Sequence, residues 1–148
     1  MKIQQSIPLI LPILFGLHVA EEFFFGFMPW HVNLFNSNLS NTDFLIINGC
    51  AFFIIDANGM LHVIKKGSNY FTAVIGTLFL INGIIHILIS AVSTSYSPGT
   101  FTGIMLYLPL GIITIKQILP LLPEHKRKNV IMTSILIQIG IAVIAMNV

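Results

Sequence analysis

The chain has 148 residues, of which 55% are hydrophobic and 8% are charged, and its formal net charge is +2. A soluble domain carries about 25% charged residues, so this composition leaves too little polar surface for a globule in water. It predicts an integral membrane protein in contact with the lipid bilayer. The few basic residues are spread among short segments between apolar runs, which excludes the basic patch of a nucleic-acid-binding protein.

Five apolar runs are long enough to span a bilayer, which takes about 20 residues of helix. Helices are expected because lipid cannot satisfy the backbone groups of an open sheet edge. With no internal repeat, the pattern predicts an all-α bundle of five transmembrane helices as a single domain over residues 1–148. Pro109 predicts a kink in the fourth helix, whereas Pro8 and Pro12 fall in the first turns of the first. The predicted spans are Ile7–Trp30, Phe44–Ile64, Tyr70–Val92, Phe101–Leu122 and Val130–Val148.

The basic residues between the runs predict the topology. Lys2 precedes the first run, Lys65 and Lys66 follow the second, and residues 126–128 follow the fourth, whereas residues 31–43 and 93–100 contain no Lys or Arg. By the positive-inside rule, the N-terminus is cytoplasmic and the C-terminus lies outside. The predicted location is the plasma membrane, as a multi-pass protein, and the Asn- and Ile-rich composition favours a prokaryotic source.

The first run contains an unusual group of ionisable residues. His18, Glu21 and Glu22 are spaced i, i+3, i+4, so they share one face of a helix. Ionisable groups inside a span are costly and by default mark a functional site with a partner nearby.

Polar residues on the next two helices are expected at a matching depth. At 1.5 Å per residue, the two glutamates lie about 5 Å outside the midplane, Asn48 about 8 Å and His86 about 7 Å, with Asn82 near the midplane. Tyr96 follows in the outer loop, beside the turn signal Pro98-Gly99. These groups are therefore predicted to share one cavity that opens toward the outer face.

The residue types in this group suit a divalent transition metal. Two adjacent carboxylates in a low dielectric need a proton, a histidinium or a metal ion for compensation. His and Glu ligands fit Zn²⁺, Fe²⁺ or Mn²⁺. The predicted metal ligands are His18, Glu21, Glu22 and His86.

The remaining polar residues are expected in supporting roles or outside the site. Asn48 and Asn82 would orient the metal or cofactor ligands, and Tyr96 would act with the glutamates as a catalytic group. Asp56 and Asn58 are predicted to form a buried contact between helices rather than a proton path. His31 follows Trp30 and is predicted to belong to an interfacial belt.

These motifs resemble those of the HXXEE domain proteins, small prokaryotic membrane proteins. The resemblance covers roughly residues 10–110. It implies no activity, because none is established for the family, but it supports the same polar positions. The matching elements are residues 18–22, Phe27-Met28-Pro29-Trp30 (where the family usually has Phe-Pro), Asn48, the Asn82 and His86 pair, and Tyr96-Ser97-Pro98-Gly99.

Three classes of function are consistent with this pattern. The favoured one is a metal-dependent or acid/base enzyme, a hydrolase or isomerase, that acts on a lipid or another membrane-soluble small molecule. A small transporter or proton or cation pathway is the first alternative, although no inverted repeat supports it. The second is a structural or accessory membrane subunit in which the polar cluster locks helices together.

Overall fold

The computed structural model describes residues 3–147, and all regular structure within that range is helical. Lys2, on which part of the predicted topology depends, and Val148, the predicted end of the last helix, lie outside it. Five helices are long and apolar enough to cross a membrane. We number the helices α1 Ile3–Phe24, α2 Phe27–Phe35, α3 Asn41–Val63, α4 Asn69–Ser93, α5 Thr100–Leu121 and α6 Glu124–Asn147.

The first predicted span, Ile7–Trp30, is wrong at both ends. Helix α1 begins at Ile3, so Pro8 and Pro12 lie inside it rather than in its first turns. It ends at Phe24, and Gly26 then adopts a left-handed conformation (φ 80°) that starts the short helix α2. One apolar run therefore contains a break between two helices. Hydropathy does not predict this break, because it takes no account of the ease with which glycine adopts a positive φ.

Helix α4 is the centre of the bundle and packs against α1, α5 and α6, while α3 lies against α1. Its contact with α5 is close because glycines face each other: a Cβ on Gly83 would lie 3.0 Å from the carbonyl oxygen of Gly103. Small residues that let helix backbones approach are typical of membrane bundles. The buried apolar side chains of α1, α4 and α5 fill the space between these three helices.

Helix α5 is irregular upstream of Pro109, where a kink was predicted. Residues Gly103–Tyr107 form a π-helical turn, closed by a hydrogen bond from the N–H of Leu108 to the carbonyl of Gly103. Pro109 has no N–H to offer the carbonyl four residues before it, which favours a wider turn at this point. The helix finishes with a short 3-10 turn, Leu119–Leu121.

Local hydrogen bonds explain how the other helices begin and meet. Ser40 caps α3 in a capping box with Asp43. The side-chain amide of Asn58 donates to the Thr72 hydroxyl at 2.9 Å, and its oxygen accepts from the N–H of Ser68 at 3.0 Å. Asn58 thus joins α3 to the start of α4 in the predicted buried contact between helices, whereas Asp56, predicted to take part in it, is only half-buried.

Candidate metal and substrate site

Two histidines and one glutamate converge between α1 and α4. Nε2 of His86 lies 3.3 Å from Oε1 of Glu22, and Nε2 of His18 lies 3.6 Å from the same oxygen. One ligand atom from each residue falls within 4.8 Å of the others, and all three residues are buried. The i, i+4 spacing on α1 places two of them on one face, and α4 supplies the third.

Hydroxyl groups contact both histidine rings at Nδ1, the nitrogen that is not directed at Glu22. Nδ1 of His18 lies 2.7 Å from Oγ1 of Thr102, and Nδ1 of His86 lies 3.0 Å from Oγ of Ser97. The Thr102 hydroxyl also lies 3.4 Å from the carbonyl of Gly99. If the hydroxyl donates to that carbonyl, it accepts the Nδ1–H of His18, and Nε2 of His18 then carries a lone pair. Nε2 of His18 is buried and has no hydrogen-bond partner.

The structure places Glu21 away from this group, although it was predicted to be a fourth ligand. Its carboxylate accepts hydrogen bonds from the Tyr96 hydroxyl and from three backbone N–H groups, those of Gly99 (3.0 Å), Phe101 (3.1 Å) and Thr102 (2.7 Å). These amides form the start of α5, where a negative charge is favoured by the helix dipole. Glu21 therefore fastens α1 to the N-terminus of α5.

Tyr96 belongs to this second arrangement and not to the three-residue group. Burial and its hydrogen bond to the Glu21 carboxylate raise the pKa of Tyr96 to about 12. Its hydroxyl therefore stays protonated and remains a donor to Glu21. That geometry favours the role of an anchor for the loop between α4 and α5 over that of a catalytic group.

Gly99 explains why the loop that follows α4 carries a Pro-Gly turn. Its φ is +100°, and a Cβ there would lie 2.7 Å from Cε1 of His86 and 2.9 Å from Cε1 of His18. No side chain fits between the loop and the two rings. The backbone at Gly99 thus covers the site on its loop side.

An aromatic stack supports the ring of His18. The ring of Tyr107 stacks on His18 with centroids 4.1 Å apart and on Phe79 with centroids 3.9 Å apart. Tyr107 is 2% exposed, and its hydroxyl has no hydrogen-bond partner. Nothing in the sequence pattern pointed to Tyr107, because a lone tyrosine within an apolar run looks like core packing.

The three-residue group borders a cavity of about 570 Å³, a size typical of sites for small organic ligands. Side chains of α1, α2, α3, α4 and α6 line it, most of them apolar, and Tyr107 of α5 closes one wall. Asn48 and Asn82 also line it, as the depth argument predicted. The amide nitrogen of Asn48 donates to the carbonyl of Phe44 in its own helix, whereas Oδ1 of Asn82 is buried without a partner.

His31 was predicted to lie in an interfacial belt, but the structure buries it against the cavity. The break at Gly26 turns α2 so that His31 lines the cavity, and Nδ1 of His31 lies 2.8 Å from Oγ of Ser37. Burial lowers the pKa of His31, so its imidazole is neutral at physiological pH. The sequence signal that could have predicted this position of His31 is the Phe25-Gly26 pair, at which the helix breaks.

The model of a family described as "Protein of unknown function with HXXEE motif" matches residues 9–114, from the start of α1 to the middle of α5. The chain belongs to the HXXEE family. No curated protein and no solved structure matches it. In this HXXEE protein, His18 and Glu22 of the motif belong to the three-residue group at the cavity, whereas Glu21 binds the start of α5.

Proposed function

We propose that this HXXEE protein is a membrane-embedded enzyme that binds one divalent transition metal through His18, Glu22 and His86 and acts on a membrane-soluble small molecule. One observation carries the proposal. Among the side chains of residues 3–147 that can carry a positive charge, only the two histidines lie within 4 Å of the buried Glu22 carboxylate. A buried carboxylate without a cation is strongly unfavourable, so the group requires a metal ion or a proton.

The geometry favours a metal ion over a proton alone. Two ligands of a tetrahedral zinc ion, each bonded at the usual length, are about 3.4 Å apart. The two nitrogen-to-oxygen distances, 3.3 and 3.6 Å, bracket that value. In the tautomer in which His18 donates through Nδ1, its Nε2 presents a lone pair toward Glu22, and two facing lone pairs repel unless a cation lies between them. A set of two histidines and one carboxylate is typical of catalytic zinc and of non-haem iron sites with open positions.

The residues around the group have distinct roles in this proposal. Thr102 and Ser97 would hold the histidines in the tautomer and orientation that leave Nε2 free. When bound, the metal would polarise an oxygen atom of the substrate as a Lewis acid. Glu21 and Tyr96, predicted to be catalytic, would instead keep the loop over the site. If the group carries a proton in place of a metal, Glu22 and a histidine would form an acid/base pair for an isomerisation.

Membrane insertion with a cytoplasmic N-terminus is part of the same proposal. The side-chain amide of Gln4 donates to the carbonyl of Gln117, and Gly59 packs against the backbone of Pro8. The start of α1 and the ends of α3 and α5 thus share one end of the bundle, which also holds the basic segments at 65–66 and 126–128. This segregation supports the positive-inside assignment.

The test is elemental analysis of detergent-purified protein, comparing wild type with variants His18→Ala, His86→Ala and Glu22→Gln. We expect about one equivalent of Zn, Fe or Mn in the wild type, by the one-site geometry, and its loss from all three variants. His125→Ala is the matched control, since His125 is exposed at the start of α6 and should leave the metal in place. The metal-containing protein is then incubated with membrane lipid extracts, and products are identified by mass spectrometry against the His86→Ala variant.

A folded wild type that contains no metal, even after it is supplied with each of the three ions, would overturn the metal enzyme. A metal retained by His18→Ala and His86→Ala would place it at another site. Metal bound without any turnover that depends on His86 would favour a transport or structural role for the cavity.

A further inference from the structure

Two residues that line the cavity each have a buried polar atom without a hydrogen-bond partner, and a metal does not explain either atom. These atoms are the hydroxyl oxygen of Tyr107 and Oδ1 of Asn82. A buried polar group left unpaired costs about 1–3 kcal/mol, so natural proteins rarely leave one without a ligand, water or functional reason. Tyr107 and Asn82 line the same cavity.

Both residues lie beside the proposed metal group. Asn82 is four residues before His86 and three after Phe79 on α4, so the three share a helix face. The Tyr107 ring stacks on Phe79 and on His18. Asn82 is therefore about one helical turn from His86, and Tyr107 is in contact with His18.

Oδ1 of Asn82 restricts which head groups these atoms receive, because an amide oxygen accepts hydrogen bonds and cannot donate one. A fully deprotonated phosphate or carboxylate has no hydrogen to donate to it and would leave this buried oxygen unpaired. The long apolar walls from α3, α4 and α6 suit a hydrocarbon chain.

We propose that the substrate is a single-chain lipid with an uncharged hydroxyl or unsubstituted amide head group. Either head group offers both an acceptor and a donor: its oxygen accepts the Tyr107 O–H, and its own hydrogen is donated to Oδ1 of Asn82. This inference rests on the proposed function, because it places the head group next to His18 and His86. Tyr107 and Asn82 are then residues that determine specificity by contact with the substrate.

The chain contains one tryptophan, and Trp30 lines this cavity. Its fluorescence therefore reports occupancy by a lipid whose chain carries bromine, a short-range quencher. The probes are a long-chain alcohol and a long-chain phosphate monoester with the same brominated chain, added to purified protein in detergent. An excess of unbrominated alcohol displaces the brominated probe from the cavity. The part of the quenching that this excess reverses therefore measures binding in the cavity rather than partition into the micelle. We expect saturable, reversible quenching with the alcohol and none with the phosphate.

The variants Tyr107→Phe and Asn82→Leu should each weaken binding of the alcohol roughly three- to tenfold, the usual effect of one hydrogen bond. Tyr70→Phe is the matched control, because the Tyr70 hydroxyl bonds to Thr133 at 2.8 Å away from the cavity lining. It should bind the alcohol as the wild type does. Phosphate binding equal to that of the alcohol, or wild-type affinity in both Tyr107→Phe and Asn82→Leu, would overturn the inference.

Metal content measured on the same samples separates the two proposals. Saturable binding of the alcohol by a wild type without metal would refute the metal site and leave the substrate class standing. A wild type that holds metal but shows no reversible quenching would refute the substrate class alone.

Discussion

The two adjacent glutamates of the motif are expected to have separable effects, which is a sharp test of the site geometry. The substitution Glu21→Gln replaces one carboxylate oxygen by an NH₂ group. Even in the better orientation, in which Oε1 keeps its partners, the NH₂ group then faces the Thr102 N–H that now donates at 2.7 Å. One buried N–H is left unpaired, and the remaining bonds lose the assistance of the charge.

The sum of these losses is about 2–4 kcal/mol. For a chain of this size, that corresponds to a decrease in Tm of about 5–15 °C. The substitution Glu22→Gln removes only two contacts of 3.3 and 3.6 Å, so its cost in metal-free protein should be below about 1 kcal/mol. It should, however, abolish metal binding, whereas Glu21→Gln should retain it.

The assay is thermal unfolding in detergent with a chelator present, so that metal binding does not add to stability. Metal content is measured on separate, untreated samples of both variants. A Glu21→Gln variant that loses its metal at an unchanged Tm would refute the assignment. So would a Glu22→Gln variant that is the less stable of the two in chelator.

Three further substitutions test the surroundings of the site. Gly99→Ala should displace both site histidines and lower metal affinity at least tenfold in a metal titration, since its Cβ would lie 2.7 Å from a ring carbon of His86. Gly140→Ala is the control: Gly140 has open space around it, so the affinity should be unchanged in the same titration. Thr102→Val removes the hydroxyl behind His18 and should lower metal affinity about 10- to 100-fold with an unchanged helical circular dichroism spectrum; wild-type affinity would contradict the tautomer argument. Gly111→Ala would bring a Cβ within 2.8 Å of the carbonyl of Gly76 and should destabilise the protein by about 1–3 kcal/mol in thermal unfolding, without changing metal content per folded molecule.

The helices could be predicted from sequence because their signal is cumulative. Twenty apolar residues in a row identify a span whichever side chains they are, and each of the five predicted runs overlaps one helix that is long and apolar enough to cross a membrane. The ends of the helices were harder to predict, because a helix ends where the backbone conformation changes. Gly26 makes that change inside an apolar run, and the burial of His31 follows from it.

The site could be predicted only in part, because spacing identifies a helix face but not the partners opposite it. His18, Glu21 and Glu22 share one face of α1, and nothing in their spacing tells which glutamate meets His86. The deciding partners are backbone N–H groups at the start of α5, which every residue except proline carries. Sequence patterns cannot distinguish them.

The π-helical turn at Gly103–Tyr107 has a consequence for how many residues this segment contains. In a regular α-helix, two residues five apart differ by about 140° in direction, whereas the i to i+5 bond of a π-turn stacks them on one side. Thr102 and Tyr107 are five apart, and both contact His18, one by hydrogen bond and one by ring stacking. If the same residues formed an uninterrupted α-helix, Thr102 and Tyr107 would point about 140° apart, and one of these two contacts with His18 would be lost. The wider turn, which holds one residue more than an α-helical turn, is therefore what lets a single helix both orient the histidine and cover its face.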